Sequence, residues 1–242
     1  MNLPTIIDPC PIREANVEIR FESKVPAEAV FGIVYSGLRG SYAEPSPTPI
    51  VQIPEFVRAN DPNLQYQAHY KVKKDNFLLQ LGPRMISLAA VETYPGWDLY
   101  LREILDVFRK IEQLDFILEI TRLGIRYVNV FKTDIFEKVN LQIIVNDAAV
   151  NSKETYVRAL FEGTSFNTLL QVANNALIQT DDGNQTKGSL IDIDVSNQSQ
   201  KMPFFENVER LLNEAHQIEK TKFFELLKDD FLATLNPVYG EE

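Results

Sequence analysis

The run ILEITRLGIRYVNVF at residues 117–131 constrains the fold more than any other stretch of the chain. Within it Leu123, Ile125 and Tyr127 alternate with Arg122, Gly124 and Arg126. A period of two marks a β-strand, because successive strand side chains point to opposite faces. One face of this strand is apolar and belongs against a core. The other carries two guanidinium groups around a bare glycine.

The same alternation recurs. ANVEIRF (15–21) sets Val17, Ile19 and Phe21 on one side and Asn16, Glu18 and Arg20 on the other, a first strand. PAEAVFGIVYSGL (26–38) spaces Val30, Ile33 and Val34 as a short helix, with Pro26 acceptable in its first turn. Residues 40–63 hold Pro45, Pro47, Pro49, Pro54 and Pro62, which predicts a surface excursion in which PIVQI alone looks extended. LQYQAHYKV (64–72), NFLLQLG (76–82) and RMISLAAV (84–91), separated by KKD and GP, read as an antiparallel meander. YPGWDLYLREILDVFRKIEQL (94–114) is an amphipathic helix striped by Leu101, Ile104, Leu105, Phe108 and Ile111.

After the strand at 117–131 the order repeats. TDIFEK forms a short helical turn capped by Thr133 or Asp134, NLQIIV, TYVRALFE, FNTLLQVA and GSLIDIDV are strands, and residues 203–235 form a helical tail that ends before Pro237. The pattern predicts an α+β protein of antiparallel sheet backed by helices. Two structurally related halves, 1–115 and 116–242, would form one unit. The order is similar to the tandem repeats of the TATA-binding-protein fold and to helix-grip folds, in which a curved sheet wraps a long C-terminal helix; neither analogy carries a function. In either, ANVEIRF and RLGIRYVN are expected to lie near each other at a pseudo-twofold axis.

If those strands are neighbours, their polar face gathers Glu18, Arg20, Arg122 and Arg126, with Asp192 and Asp194 of LIDIDV in reach. Two readings stand. One is a pocket for an anionic small molecule, in which forked arginine donors match a carboxylate or phosphate and Gly124 admits the ligand to the backbone. The other is a salt-bridge lattice that fixes strand register. His216 is either a packed helix residue or, with Glu18, a proton-transfer group for such a ligand. YPGW is either a staple at the helix start or an aromatic wall. TDDGN (180–184) reads as a hairpin turn rather than a calcium loop, which would need a later glutamate. The apolar stripe of the tail is core with a surplus that suits a partner.

Composition narrows the function classes. The net charge of −10 repels a phosphate backbone, so nucleic acid is disfavoured. One cysteine, Cys10, excludes an internal disulfide, and with no HExxH-like spacing no metal or other cofactor is expected. No stretch reaches the roughly 20 apolar residues of a membrane span, and the N-terminus lacks a signal-peptide pattern; a cytoplasmic protein is expected. The P-loop, Rossmann and hydrolase-elbow motifs are all missing.

The opening PIREANVEIRF, YPGW before a helix, the RLGIRYVN strand and the late NEAHQIEKTKFFELL together resemble a sporadically distributed bacterial family of conserved hypothetical proteins. Pro11, Ile12, Glu14, Trp97, Arg122, Gly124, Arg126, Tyr127, Asn129 and His216 occupy the matching positions. The resemblance implies an accessory gene, for example at a host-defence locus, and brings no catalytic set. The missing catalytic motifs, the acidic composition and the apolar terminal helix make the expected function a non-enzymatic binding or adaptor protein acting through a protein partner or a homodimer; the alternative is a small-molecule sensor or enzyme that binds an anionic ligand through Arg122 and Arg126.

Overall fold

The computed structural model describes residues 3–150, 154–179, 185–197 and 204–240. In chain order the elements are β1 (Ile12–Ser23), α1 (Ala27–Leu38), β2 (Ser46–Pro47), α2 (Glu55–Asn60), β3 (Tyr70–Lys74), β4 (Phe77–Leu81), β5 (Met85–Ala90), α3 (Trp97–Gln113), β6 (Ile117–Phe131), β7 (Ile144–Val145), β8 (Ala148–Ala149), β9 (Tyr156–Phe161), β10 (Asn167–Gln179), β11 (Gln185–Ser196), α4 (Phe204–Leu226) and α5 (Asp229–Ala233). Nine strands form one antiparallel sheet in the order β2-β3-β4-β5-β1-β6-β11-β10-β9, and β7 pairs only with β8. The α+β class with an antiparallel sheet is thus what the chain adopts. β1 and β6 are neighbours: the Lys24 N–H donates to Phe116 O (2.7 Å), and the Val130 N–H to Pro11 O (2.9 Å).

The chain forms two compact units, one of Met1–Arg13, Arg126–Val195 and His216–Glu242, the other of Glu14–Ile125 and Ser196–Ala215. In the second, alternation does what it predicts. Ala15, Val17, Ile19 and Phe21 of β1 are fully buried, and Val17 and Ile19 face Leu88 and Ile86 of β5. Helices α1 and α3 bring Val30, Val34, Ile104 and Phe108 to this core, each fully buried side chain contributing roughly 1.5–3 kcal/mol over an exposed one. Tyr100 ties helix to sheet, its hydroxyl lying 2.5 Å from Leu88 O and 3.1 Å from Ala15 O. Gly96 caps α3 at φ 89°, a conformation that glycine adopts without a Cβ penalty. The stripe of α3 is turned slightly from its expected place: Tyr100 and Val107 are buried, whereas Leu101 and Leu105 are half-buried.

In the other unit, Tyr127 and Phe131 of β6, Leu170 and Val172 of β10 and Ile191, Ile193 and Val195 of β11 are buried, as are Phe223, Leu226 and Leu227 near the end of α4. The helical tail is not continuous. The Asn140 N–H takes Leu226 O (2.7 Å) and the Lys228 N–H takes Lys138 O (3.0 Å), so the backbone leaves the helical ladder and restarts as α5.

Other expectations are corrected by local bonding. PIVQI is not extended: Pro49–Gln52 is a 3₁₀ turn, with the Val51 N–H on Thr48 O (3.2 Å). Residues 64–69 are not strand: Asp61 collects the N–H groups of Asn63, Leu64 and Gln65 and holds the chain in turns to Tyr66, and β3 begins at Tyr70. NLQIIV contributes only its last two residues, in the separate hairpin. TDIFEK is a set of turns, in which Asp134 Oδ1 accepts from the Phe136 N–H (3.0 Å). TDDGN lies outside the described residues.

Candidate functional site

In the second unit, Glu18 accepts from Arg20 Nε (2.8 Å) and from Arg122 Nη1 (2.9 Å). The side chains of Glu18 and Arg122 keep only 17% and 19% of their surface, so this pair is shielded from bulk solvent. Alternation explains the meeting: residues 18 and 20 share one face of β1, opposite the apolar Val17, Ile19 and Phe21. The guanidinium of Arg20 also sits 4.4 Å from the centre of the Tyr66 ring, a cation–π contact. At Gly124, the space that a Cβ would occupy is taken by the guanidinium of Arg122. The glycine lets the arginine fold back along its own strand toward Glu18.

In the first unit, Arg126 grips Asp192 with two parallel bonds, Nε to Oδ1 at 2.8 Å and Nη2 to Oδ2 at 2.7 Å. Gln171 Nε2 donates to the same Oδ2 (2.9 Å), and Tyr156 Oη bonds Gln171 Oε1. The polar chain therefore steps from β6 to β11 to β10 to β9. Asp192 is buried while Arg126 remains 44% exposed, so the carboxylate depends on the pair more than the guanidinium does.

His216 does not join Arg126. Its ring lies 6.0 Å from that of Tyr127, whose side chain points to the opposite face of β6 from its neighbour Arg126. Burial, and then the charge of Lys220, pushes the imidazole down to about 3, so it is neutral near pH 7. One turn on, Glu219 is buried, and desolvation raises its carboxyl to about 8 against the opposing pull of Lys220. Glu219 escapes sequence reading as a perturbed group because its helical neighbourhood is rich in charge. A second unforeseen pair is Arg58 and His69 of the other unit: Arg58 Nη1 lies 3.0 Å from each ring nitrogen, and burial plus that cation lower His69 to about 4.

YPGW is packed. Trp97 meets Tyr100 edge to face (6.2 Å) and donates from Nε1 to Asn213 Oδ1 (2.8 Å). Between α3 and the start of α4 lies an open groove of about 680 Å³, lined by Leu105, Phe108, Phe205 and Val208 with Arg109 and Glu209.

No family model and no curated protein matches the chain. Its chemistry is therefore read from its own residues. Both arginines of RLGIRYVN bond carboxylates of this chain, Arg122 to Glu18 through Nη1 and Arg126 to Asp192 through Nε and Nη2, an arrangement that ties neighbouring strands together. Among the described residues no group of three His, Cys, Asp or Glu side chains converges as metal ligands, and no helix is long and apolar enough to cross a membrane.

Proposed function

We propose that this is a non-enzymatic binding protein that works through a macromolecular contact surface. The observation that carries the reading is the apolar exposure of β9, where Tyr156 and Leu160, on one face of the strand, leave 60% and 59% of their surface in solvent at the margin of the sheet. Clustered apolar surface on a folded chain marks a site of association. Internal pairing of Arg122 and Arg126 supports the same reading, because Glu18 and Asp192 already take the donors that an anionic ligand would use, most completely at the shielded Arg122. A net charge of −10 adds that the contact is with protein rather than nucleic acid. The resemblance in sequence to a sporadically distributed bacterial family supports an accessory or defence locus for such an adaptor, and the single cysteine supports a reducing, cytoplasmic setting.

The test compares wild type with Leu160→Asp in sedimentation velocity and in affinity capture from cell extract. Self-association or a captured protein that is lost in the variant supports the reading. Identical behaviour of the two proteins counts against it. A thermal-shift screen against anionic metabolites separates the alternative: a stabilising compound whose effect disappears in Arg126→Ala, with the variant still folded, would return the arginines to ligand binding.

A further inference from the structure

Strand β9 ends the sheet, and its sequence protects it with a single charge. The opposite margin, β2, has two residues, one of them Pro47, which has no N–H to offer. Strand β9 has six residues, TYVRALFE around it contains no proline, and its only charged side chain is Arg158. An exposed apolar edge of this kind is a template for another strand.

The phase of the ladder says which backbone groups are on offer. The Asn174 N–H donates to Thr155 O (3.2 Å), and Val172, Leu170 and Thr168 face Val157, Ala159 and Phe161. Odd-numbered residues of β9 therefore turn their N–H and C=O toward β10. Tyr156, Arg158 and Leu160 turn theirs outward, away from the sheet.

The charges suit a second copy of the same strand. Along one face run Tyr156, Arg158, Leu160 and Glu162, all exposed. When the segment is set antiparallel against itself about Leu160, each Arg158 stands opposite a Glu162, twice by symmetry, with the two Leu160 side chains in contact between them. The pairing uses even-numbered residues on both sides, the ones whose backbone groups face outward. A register centred on Arg158 would instead oppose two guanidinium groups. A register centred on Tyr156 would overlap the strands at a single residue of β9.

We infer that β9 pairs with β9 of a second copy of this chain, antiparallel and centred on Leu160, with Arg158 of each copy opposite Glu162 of the other. This inference rests on the proposed binding function and names its partner. Such a contact merges two sheets into one across an isologous interface. Its small footprint predicts a dissociation constant on the order of micromolar.

The experiment uses the full chain and follows sedimentation velocity from about 1 to about 100 µM. Wild type is expected to pass from monomer to dimer. Arg158→Glu, which sets like charges at both pairs, is expected to raise the dissociation constant at least tenfold, and the double variant Arg158→Glu with Glu162→Arg to restore it. In a Cys10→Ser background, oxidised Leu160→Cys forms a covalent dimer, because cross-strand partners lie about 5.5 Å apart at Cα, within disulfide reach, whereas Arg158→Cys stays uncrosslinked. Far-UV circular dichroism checks that each variant is folded.

A wild type that stays monomeric over the whole range overturns the inference. So does a dimer indifferent to Arg158→Glu and to the double variant, or crosslinking at 158 instead of 160. The binding function fails separately. It stands if Leu160→Asp abolishes capture of another protein by a monomeric chain, and falls if neither association nor capture depends on Leu160.

Discussion

Glu219→Gln is the substitution whose effect can be worked furthest. In the folded chain Glu219 keeps its proton to about pH 8, against 4.5 for an exposed carboxyl. A raised folded value means that stability from this group is complete below pH 4.5 and is lost as pH rises toward 8, at about 1.4 kcal/mol per pH unit. His216 works in the opposite sense. Its folded value of about 3 lies below the ordinary 6.5, so its contribution is complete above pH 6.5 and is lost as pH falls toward 3. Between pH 4.5 and 6.5 the two slopes cancel. Between 6.5 and 8 only Glu219 acts, and 1.5 pH units at 1.4 kcal/mol each give a loss of roughly 2 kcal/mol. Glutamine keeps the shape and cannot ionise, so the variant omits this loss. Urea unfolding at pH 6.5 and 8.5, followed by far-UV circular dichroism, measures it: the wild-type minus variant difference in unfolding free energy is expected to fall by roughly 2 kcal/mol between the two pH values, about 4–8 °C in Tm for a chain of this length. Parallel pH profiles for the two proteins would refute the assignment of a protonated Glu219.

The ion pairs and the clamp tyrosine give further expectations. Arg126→Ala leaves the buried Asp192 with Gln171 alone, and the exposure of the arginine trims the expected loss to about 1–3 kcal/mol by chemical denaturation. Gly124→Ala pushes the Arg122 guanidinium off its own strand; in a double-mutant cycle with Arg122→Ala the combined cost is expected to fall short of the sum by about 0.5–1 kcal/mol, and strict additivity would show that the two positions do not touch in solution. Tyr100→Phe removes the hydroxyl that bonds Leu88 O and Ala15 O, with an expected loss of about 1–2 kcal/mol and no change in the far-UV spectrum.

Legibility followed the range of the forces involved. β1, β6 and α3 were readable because each sorts polar from apolar side chains at one period over many residues, and burial then leaves a single orientation. Element order allowed β1 to lie beside β6 without requiring it. Residues 64–69 misled because Leu64, Tyr66 and Ala68 mimic alternation, whereas the carboxylate and carbonyl of Asp61 hold the chain in turns. The break after Leu226 was hidden for a similar reason: the backbone partners that end the helix, Lys138 and Asn140, lie far off in the chain. At the candidate site the arginines announced themselves by their place on a strand. Their partners depended on which strand lies next to which: β11 beside β6 brings Asp192 to Arg126, and β1 beside β6 brings Glu18 to Arg122. Glu219 gave no signal, since a glutamate on a charged helix reads as a solvated one.

The contact between Trp97 and Asn213 equips the protein with an optical gauge. The chain has one tryptophan, and its indole N–H is held by a side chain of α4 while its ring rests against Tyr100 of α3. Emission from that single fluorophore therefore reports whether α4 is seated on α3 at Asn213, with no label added and no second indole to confuse the spectrum. A red shift that precedes the loss of circular dichroism on heating would identify lifting of this part of α4 as the first step of unfolding.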